Sequence, residues 1–70
     1  MAAYEIRLTN GWLETVNCAE SEQEAIERLT EKRTRMGYDS THASEIRRMK
    51  ESYGGGGYGL IAVEDFHPVQ

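Results

Sequence analysis

Tyr4, Ile6 and Leu8 alternate with Glu5, Arg7 and Thr9, the period-two pattern of a strand with one buried face. Asn10-Gly11 follows as a turn signal. A second strand is predicted from Trp12 to about Ala19, with Trp12, Val16 and Cys18 on one face. The register of this hairpin decides whether its apolar residues share a face. A two-residue loop would place Tyr4, Ile6 and Leu8 opposite in facing to Trp12, Val16 and Cys18. A three-residue loop, Thr9-Asn10-Gly11, pairs Leu8 with Trp12, Ile6 with Glu14 and Tyr4 with Val16, and gathers the large apolar residues on one side. The expectation is therefore a type I turn with Gly11 left-handed in a G1 bulge. Its cost is Glu14 on the apolar face, to be accommodated by fraying or a salt link.

Ser21-Glu22-Gln23-Glu24 reads as a capping box: a serine hydroxyl for the N3 amide and a glutamate reaching back to the cap. The helix it opens should run to about Met36. Ala25, Ile26, Leu29 and Met36, with the stem of Lys32 or Arg33 between them, form its apolar stripe. Glu24–Arg28 and Glu31–Arg35 are i,i+4 pairs on its outer side, and Gly37 is placed for a left-handed C-cap.

Ile46, Met49 and Tyr53 fall at helical spacing, and Ser44 can cap a short second helix; a strand over the same residues is the alternative. Gly54 to Gly57 are four consecutive glycines and are expected to break regular structure. Gly59-Leu60-Ile61-Ala62-Val63 is apolar on both faces, as in a central strand or one covered on both sides. Phe66-His67-Pro68 closes the chain's ordered pattern. The whole predicts one α+β domain over residues 1–70: a small antiparallel sheet of three or four strands with one long helix packed on one face. The order is ββα(α)β, with ββαββ as the alternative. The predicted core is Tyr4, Ile6, Leu8, Trp12, Val16, Ala25, Ile26, Leu29, Ile61 and Val63.

Length sharpens this picture. Seventy residues, 39% of them apolar, suffice for a single thin core but not for a deep substrate cavity as well. Small domains often add a disulfide or a metal staple. Cys18 is the only cysteine, so no internal disulfide can form, and a lone thiol suits a reducing compartment. His42 and His67 lie far apart in sequence and neither is near Cys18, which matches no zinc-ligand spacing. No metal and no cofactor are expected. The N-terminus turns charged at Glu5, unlike a signal peptide, and no apolar run approaches the roughly 20 residues of a membrane helix. A cytoplasmic location is the expectation.

The net charge of −4 is unevenly spread. Residues 1–27 carry −5, residues 28–50 carry +4 and residues 51–70 carry −3. Such asymmetry orients partners electrostatically without bearing on the fold.

No catalytic residues emerge. Gly54–Gly59 resembles a phosphate cradle only in composition: a P-loop needs a following Lys-Ser/Thr and a helix, and here a strand follows. The segment reads as a loop flanked by Tyr53 and Tyr58, which can serve as a contact surface. Glu20 and Glu22 beside Cys18 disfavour its thiolate, so a buried core thiol is expected. His42 and His67 read as surface or edge residues. The basic residues Arg28, Lys32, Arg33, Arg35, Arg47, Arg48 and Lys50 make a candidate nucleic-acid surface, although Glu24, Glu31 and Glu45 pair locally with several. Acids in a helix's first turn complement its dipole. Beyond that, Glu20, Glu24, Glu27 and Glu31 form a negative face suited to a basic partner protein.

The run Val16-Asn17-Cys18-Ala19-Glu20-Ser21-Glu22-Gln23-Glu24-Ala25-Ile26 resembles a strand-plus-capped-helix pattern common in very small phage and mobile-element proteins. The resemblance implies an accessory protein. Acidic stand-alone domains of that class, anti-CRISPR proteins among them, are often inhibitors of host defence. The expectation is a non-enzymatic inhibitor that binds a host protein complex, one that handles nucleic acid, with Glu20, Glu24, Glu27, Glu31, Tyr53 and Tyr58 as contact residues. The alternatives are a nucleic-acid-binding accessory protein using residues 28–50, and a small homo-oligomer that sequesters a nucleotide beneath the glycine loop.

Overall fold

A computed structural model describes residues 2–38, 42–54 and 57–69, the side chain of Tyr58 excepted. Strand β1 (Ala2–Leu8) pairs antiparallel with β2 (Leu13–Ala19), with Tyr4 opposite Val16 and Ile6 opposite Glu14. This is the register of the three-residue loop. The Leu8 N–H donates to the Trp12 carbonyl at 2.8 Å and the Gly11 N–H donates to the Leu8 carbonyl at 2.9 Å. Gly11 adopts φ +86°, the left-handed conformation that glycine reaches without a Cβ clash. Glu14 faces inward as expected, and its carboxylate meets Arg33 at 3.6 Å and Lys32 at 3.8 Å.

Helix α1 (Glu22–Arg35) begins at the Ser21 cap and ends at Met36. Gly37 at φ +85° then turns the chain. The Tyr38 N–H reaches the Arg33 carbonyl and the Gly37 N–H the Thr34 carbonyl, the pair of bonds that defines a Schellman motif. The helix lies chiefly over β2 and buries Ala25 and Leu29, with Ile26 half-buried behind them. Met36, predicted for this stripe, is exposed: it follows the last helical turn, past the end of the sheet surface that the helix covers.

Residues 43–54 form a strand, β3 (Ala43–Gly54), not a short second helix, so the order follows the ββαββ alternative with a short fifth strand added at its end. β3 lies antiparallel along the other edge of β1, with Ile46 opposite Ile6. Both side chains are essentially inaccessible, 0% for Ile6 and 1% for Ile46. Burial of this cross-strand pair under the helix outweighs the weak helical spacing of Ile46, Met49 and Tyr53. The helix-facing core is Tyr4, Ile6, Leu8, Ala19, Ala25, Leu29 and Ile46.

β4 (Gly57–Ala62) pairs with the far half of β3, giving the order β2-β1-β3-β4. Gly54 and Gly57 are opposite one another within these strands, so the glycine run interrupts pairing less than its composition implies; Gly55 and Gly56 lie outside the described residues. The segment predicted as a central strand is thus an edge strand, and Ile61 and Val63 are exposed rather than in the core. The register partners of residues 50–54 are all in β4, so this stretch has no β1 neighbour to complete a covered face. β5 (His67–Pro68) returns to β3 beside Ile46 and Glu45.

Two further placements differ from expectation. Trp12 is 62% exposed: at the hairpin's tip it lies beyond the helix that would have covered it. Cys18 is exposed, not a core thiol. Between Tyr4–Val16 and Ala2–Ala19, β2 holds one residue more than β1, and Cys18 takes φ +58°. This bulge reverses the strand's facing, so Ala19 is buried in place of Cys18.

Candidate interaction surface

The face of the sheet away from the helix carries a charged checkerboard. Arg7 bonds Glu45 at 2.8 Å and Arg47 bonds Glu5 at 2.8 Å. Both guanidinium carbons also lie 4.3 Å from the centre of the Phe66 ring, where the ring's negative face attracts them. Phe66 reaches this position because the chain leaves the edge of β3 after Val63, whose N–H still donates to the Arg48 carbonyl at 3.1 Å: Ala62 is opposite Met49 but His67 opposite Ile46, an insertion of two residues. Arg47 is therefore bound to an acid and a ring.

The other basic residues of 28–50 do not share one face with it. Arg28 donates to the carbonyls of Asn17 and Cys18, each at 2.9 Å, and to Glu24 at 2.6 Å. Lys32 and Arg33 serve Glu14. Arg35, Arg48 and Lys50 are exposed. Folding distributes the basic segment over the helix and both sheet faces.

The acidic residues separate into two kinds. Glu24 is structural. Its N–H is capped by the Ser21 hydroxyl at 3.2 Å, and its carboxylate accepts from the Glu20 N–H at 3.1 Å as well as from Arg28. The Glu20 backbone bond, followed by Arg28, holds the Glu24 carboxyl below the ordinary value of 4.5. A carboxyl depressed in the folded state stabilises it above the unfolded pKa, and that contribution is lost as pH falls through the folded one. The Glu24→Gln variant is accordingly expected to melt below the wild type at neutral pH. The difference should narrow as pH drops below about 4.5, measured by circular dichroism melts at low salt. A deficit that persists unchanged at pH 2 would refute this account of the carboxylate.

Glu20, Glu27 and Glu31 are exposed. Glu27 accepts from Gln23 at 3.2 Å. Residues 24, 27 and 31 are three and four apart, so they lie on one stripe of the helix, turned away from the buried Ala25–Leu29 side. Tyr53 and Tyr58 are brought together as a cross-strand pair of β3 and β4. Tyr53 is 73% exposed, and its hydroxyl donates to Glu51 at 3.0 Å; the side chain of Tyr58 lies outside the described residues. The tyrosine pair sits on the β3–β4 ribbon and the acidic stripe on the helix, two separate parts of the surface.

A groove of about 370 Å³ lies between the hairpin tip and the helix C-terminus, with Trp12, Met36 and Tyr38 on its walls and Glu14, Lys32 and Arg33 at its polar side. All three apolar walls are more than half exposed, and Arg33 stacks on Tyr38 at 5.2 Å. Sequence reading missed this surface because Trp12 and Met36 fit buried stripes. What exposes them is the end of the facing element, which no local pattern marks.

One titratable cluster joins distant parts of the chain. His67 Nε2 lies 2.7 Å from Glu22 Oε2, and its Nδ1 lies 3.3 Å from Glu64 Oε2. Among the described residues the interior contains no buried polar or charged residue, and no buried side-chain polar atom lacks a partner. No described helix is long and apolar enough to cross a membrane. No protein-family model, curated protein or solved structure matches the chain.

Proposed function

We propose that this chain is a non-enzymatic binding protein that acts through protein–protein contact, with Trp12, Met36 and Tyr38 at the centre of the contact. The observation that carries the proposal is the exposure of these three side chains around one groove. Tryptophan, tyrosine and methionine are enriched at interfaces, and tryptophan and tyrosine dominate hot spots. Glu27 and Glu31 on the helix, with Glu20 just before it, give this side of the protein a negative surface that steers a basic partner to the site. A host complex that handles nucleic acid presents such a basic surface. The likeness of residues 16–26 to small phage and mobile-element proteins extends the reading to inhibition of a host defence complex, in the manner of anti-CRISPR proteins.

Affinity capture from nuclease-treated bacterial lysate tests the proposal, with wild type and two variants as bait. Trp12→Ala should weaken retention of the captured protein by about 30-fold, the scale of a hot-spot truncation near 2 kcal/mol. The triple charge reversal Glu20→Lys, Glu27→Lys, Glu31→Lys should slow association and reduce its salt dependence. Glu24 is left intact so that the helix cap survives. Equal retention by wild type and Trp12→Ala, both folded, would reject this contact surface. Capture that nuclease treatment abolishes would favour a nucleic-acid partner.

A further inference from the structure

From the convergence of Glu22, Glu64 and His67 we infer a binding site for a divalent transition-metal ion of the zinc type, held by Glu64 and His67 with Glu22, at the start of the helix, fixing the imidazole. Three separate pieces of backbone bring these residues together. Glu22 is the first residue of α1, Glu64 lies in the two-residue insertion after β4, and His67 is fixed in β5 by its pairing with Ile46. One donor atom from each lies within 4.8 Å of the other two.

The spacing of donors about the imidazole is the reason for placing a cation here. The 2.7 Å contact of Nε2 with Glu22 is the length of a strong hydrogen bond. Nδ1 lies 3.3 Å from the Glu64 carboxylate, longer than the roughly 2.7–2.9 Å of a charge-assisted hydrogen bond and matching two donors that share one ion. A tetrahedral ion bound at about 2.0–2.2 Å sets neighbouring donors roughly 3.3–3.6 Å apart, which the Nδ1–Glu64 spacing already meets. Glu64 and His67 are thus the ligands, completed by water. Glu22 accepts the remaining N–H, the carboxylate–histidine arrangement that fixes the tautomer in metal sites. The two carboxylates together balance a charge of +2. An imidazole donor favours zinc, nickel or cobalt over magnesium or calcium. A chain of 70 residues with a single cysteine has no internal disulfide, and small domains commonly use a metal instead.

Titration of the metal-free full chain with zinc chloride, followed by calorimetry and thermal melting, tests the site. One equivalent should bind and raise the melting temperature, as any ligand specific to the folded state does; magnesium chloride should do neither. His67→Ala and Glu64→Gln should abolish binding, and Glu22→Gln should weaken it by about 10–100-fold. Cobalt(II) provides a second readout through its visible absorption, which reports ligand identity even in a variant of lowered stability. No binding at 1 mM zinc would overturn the inference. Unchanged binding by His67→Ala would equally overturn it, by assigning the ion to an adventitious surface position.

Discussion

Ile46→Ala is expected to lower the unfolding free energy by about 2–5 kcal/mol, the range for a buried isoleucine cut back to a methyl group. Ile46 and Ile6 face each other at the centre of the sheet and are the two largest fully buried side chains among the described residues. Truncating either removes apolar contact with the other and with the helix above. A 70-residue domain has roughly 4–10 kcal/mol of stability in total, so the loss consumes a large part of it. The melting temperature should fall by more than about 10 °C, and urea unfolding should show a lower midpoint. Trp12→Ala is the contrast. Sequence pattern puts Trp12 in the core, where its loss would cost about 3–5 kcal/mol; at 62% exposure its removal should change stability by less than about 1 kcal/mol. A Trp12→Ala protein as unstable as Ile46→Ala would contradict the placement of the hairpin tip.

Leu29→Ala is expected to release the helix from the sheet, again at about 2–5 kcal/mol. Only Ala25 and Leu29 are fully buried on α1, and an alanine contributes little volume. The helix has 14 residues, and helices of that length are marginal in water without packing. Loss of Leu29 therefore removes most of the apolar material that holds the helix on β1 and β2. Amide hydrogen exchange should show protection across residues 22–35 falling before that of β1 and β3. Met36→Ala, from the same predicted stripe, should be nearly silent, within about 0.5 kcal/mol, as exposed substitutions usually are. Equal losses at residues 29 and 36 would mean that the helix packs on the sheet as far as Met36.

The residues proposed for contact were legible to unequal degrees. Glu27 and Glu31 could be placed on the outside because helical periodicity fixes their angle to Ala25 and Leu29. Glu24 belongs to the same stripe, yet its carboxylate also serves the Glu20 amide and Arg28. The capping box announces part of that role. Its link to the bulge at Asn17 and Cys18, through Arg28, crosses ten residues or more and leaves no local signal. The Glu22–Glu64–His67 cluster was illegible for the same reason: its members are distant in sequence and meet only because β5 returns to β3.

Local interactions let the sequence alone determine the hairpin register, the capped helix and its glycine stop. Each is set by residues within a turn or two: Asn10-Gly11 with the alternation on either side, Ser21 with Glu24, and Gly37 after Met36. The state of residues 43–54 was decided only by tertiary structure. Their charges alternate poorly with their apolar residues until Glu45 meets Arg7, Arg47 meets Glu5 and Ile46 meets Ile6 across the strand boundary. Whether Trp12, Cys18 and Ile61 are inside or outside was decided there too. Burial depends on where the covering element ends, which strand lies at the edge and where a bulge reverses the facing, and these are properties of the assembled sheet rather than of any short stretch of chain.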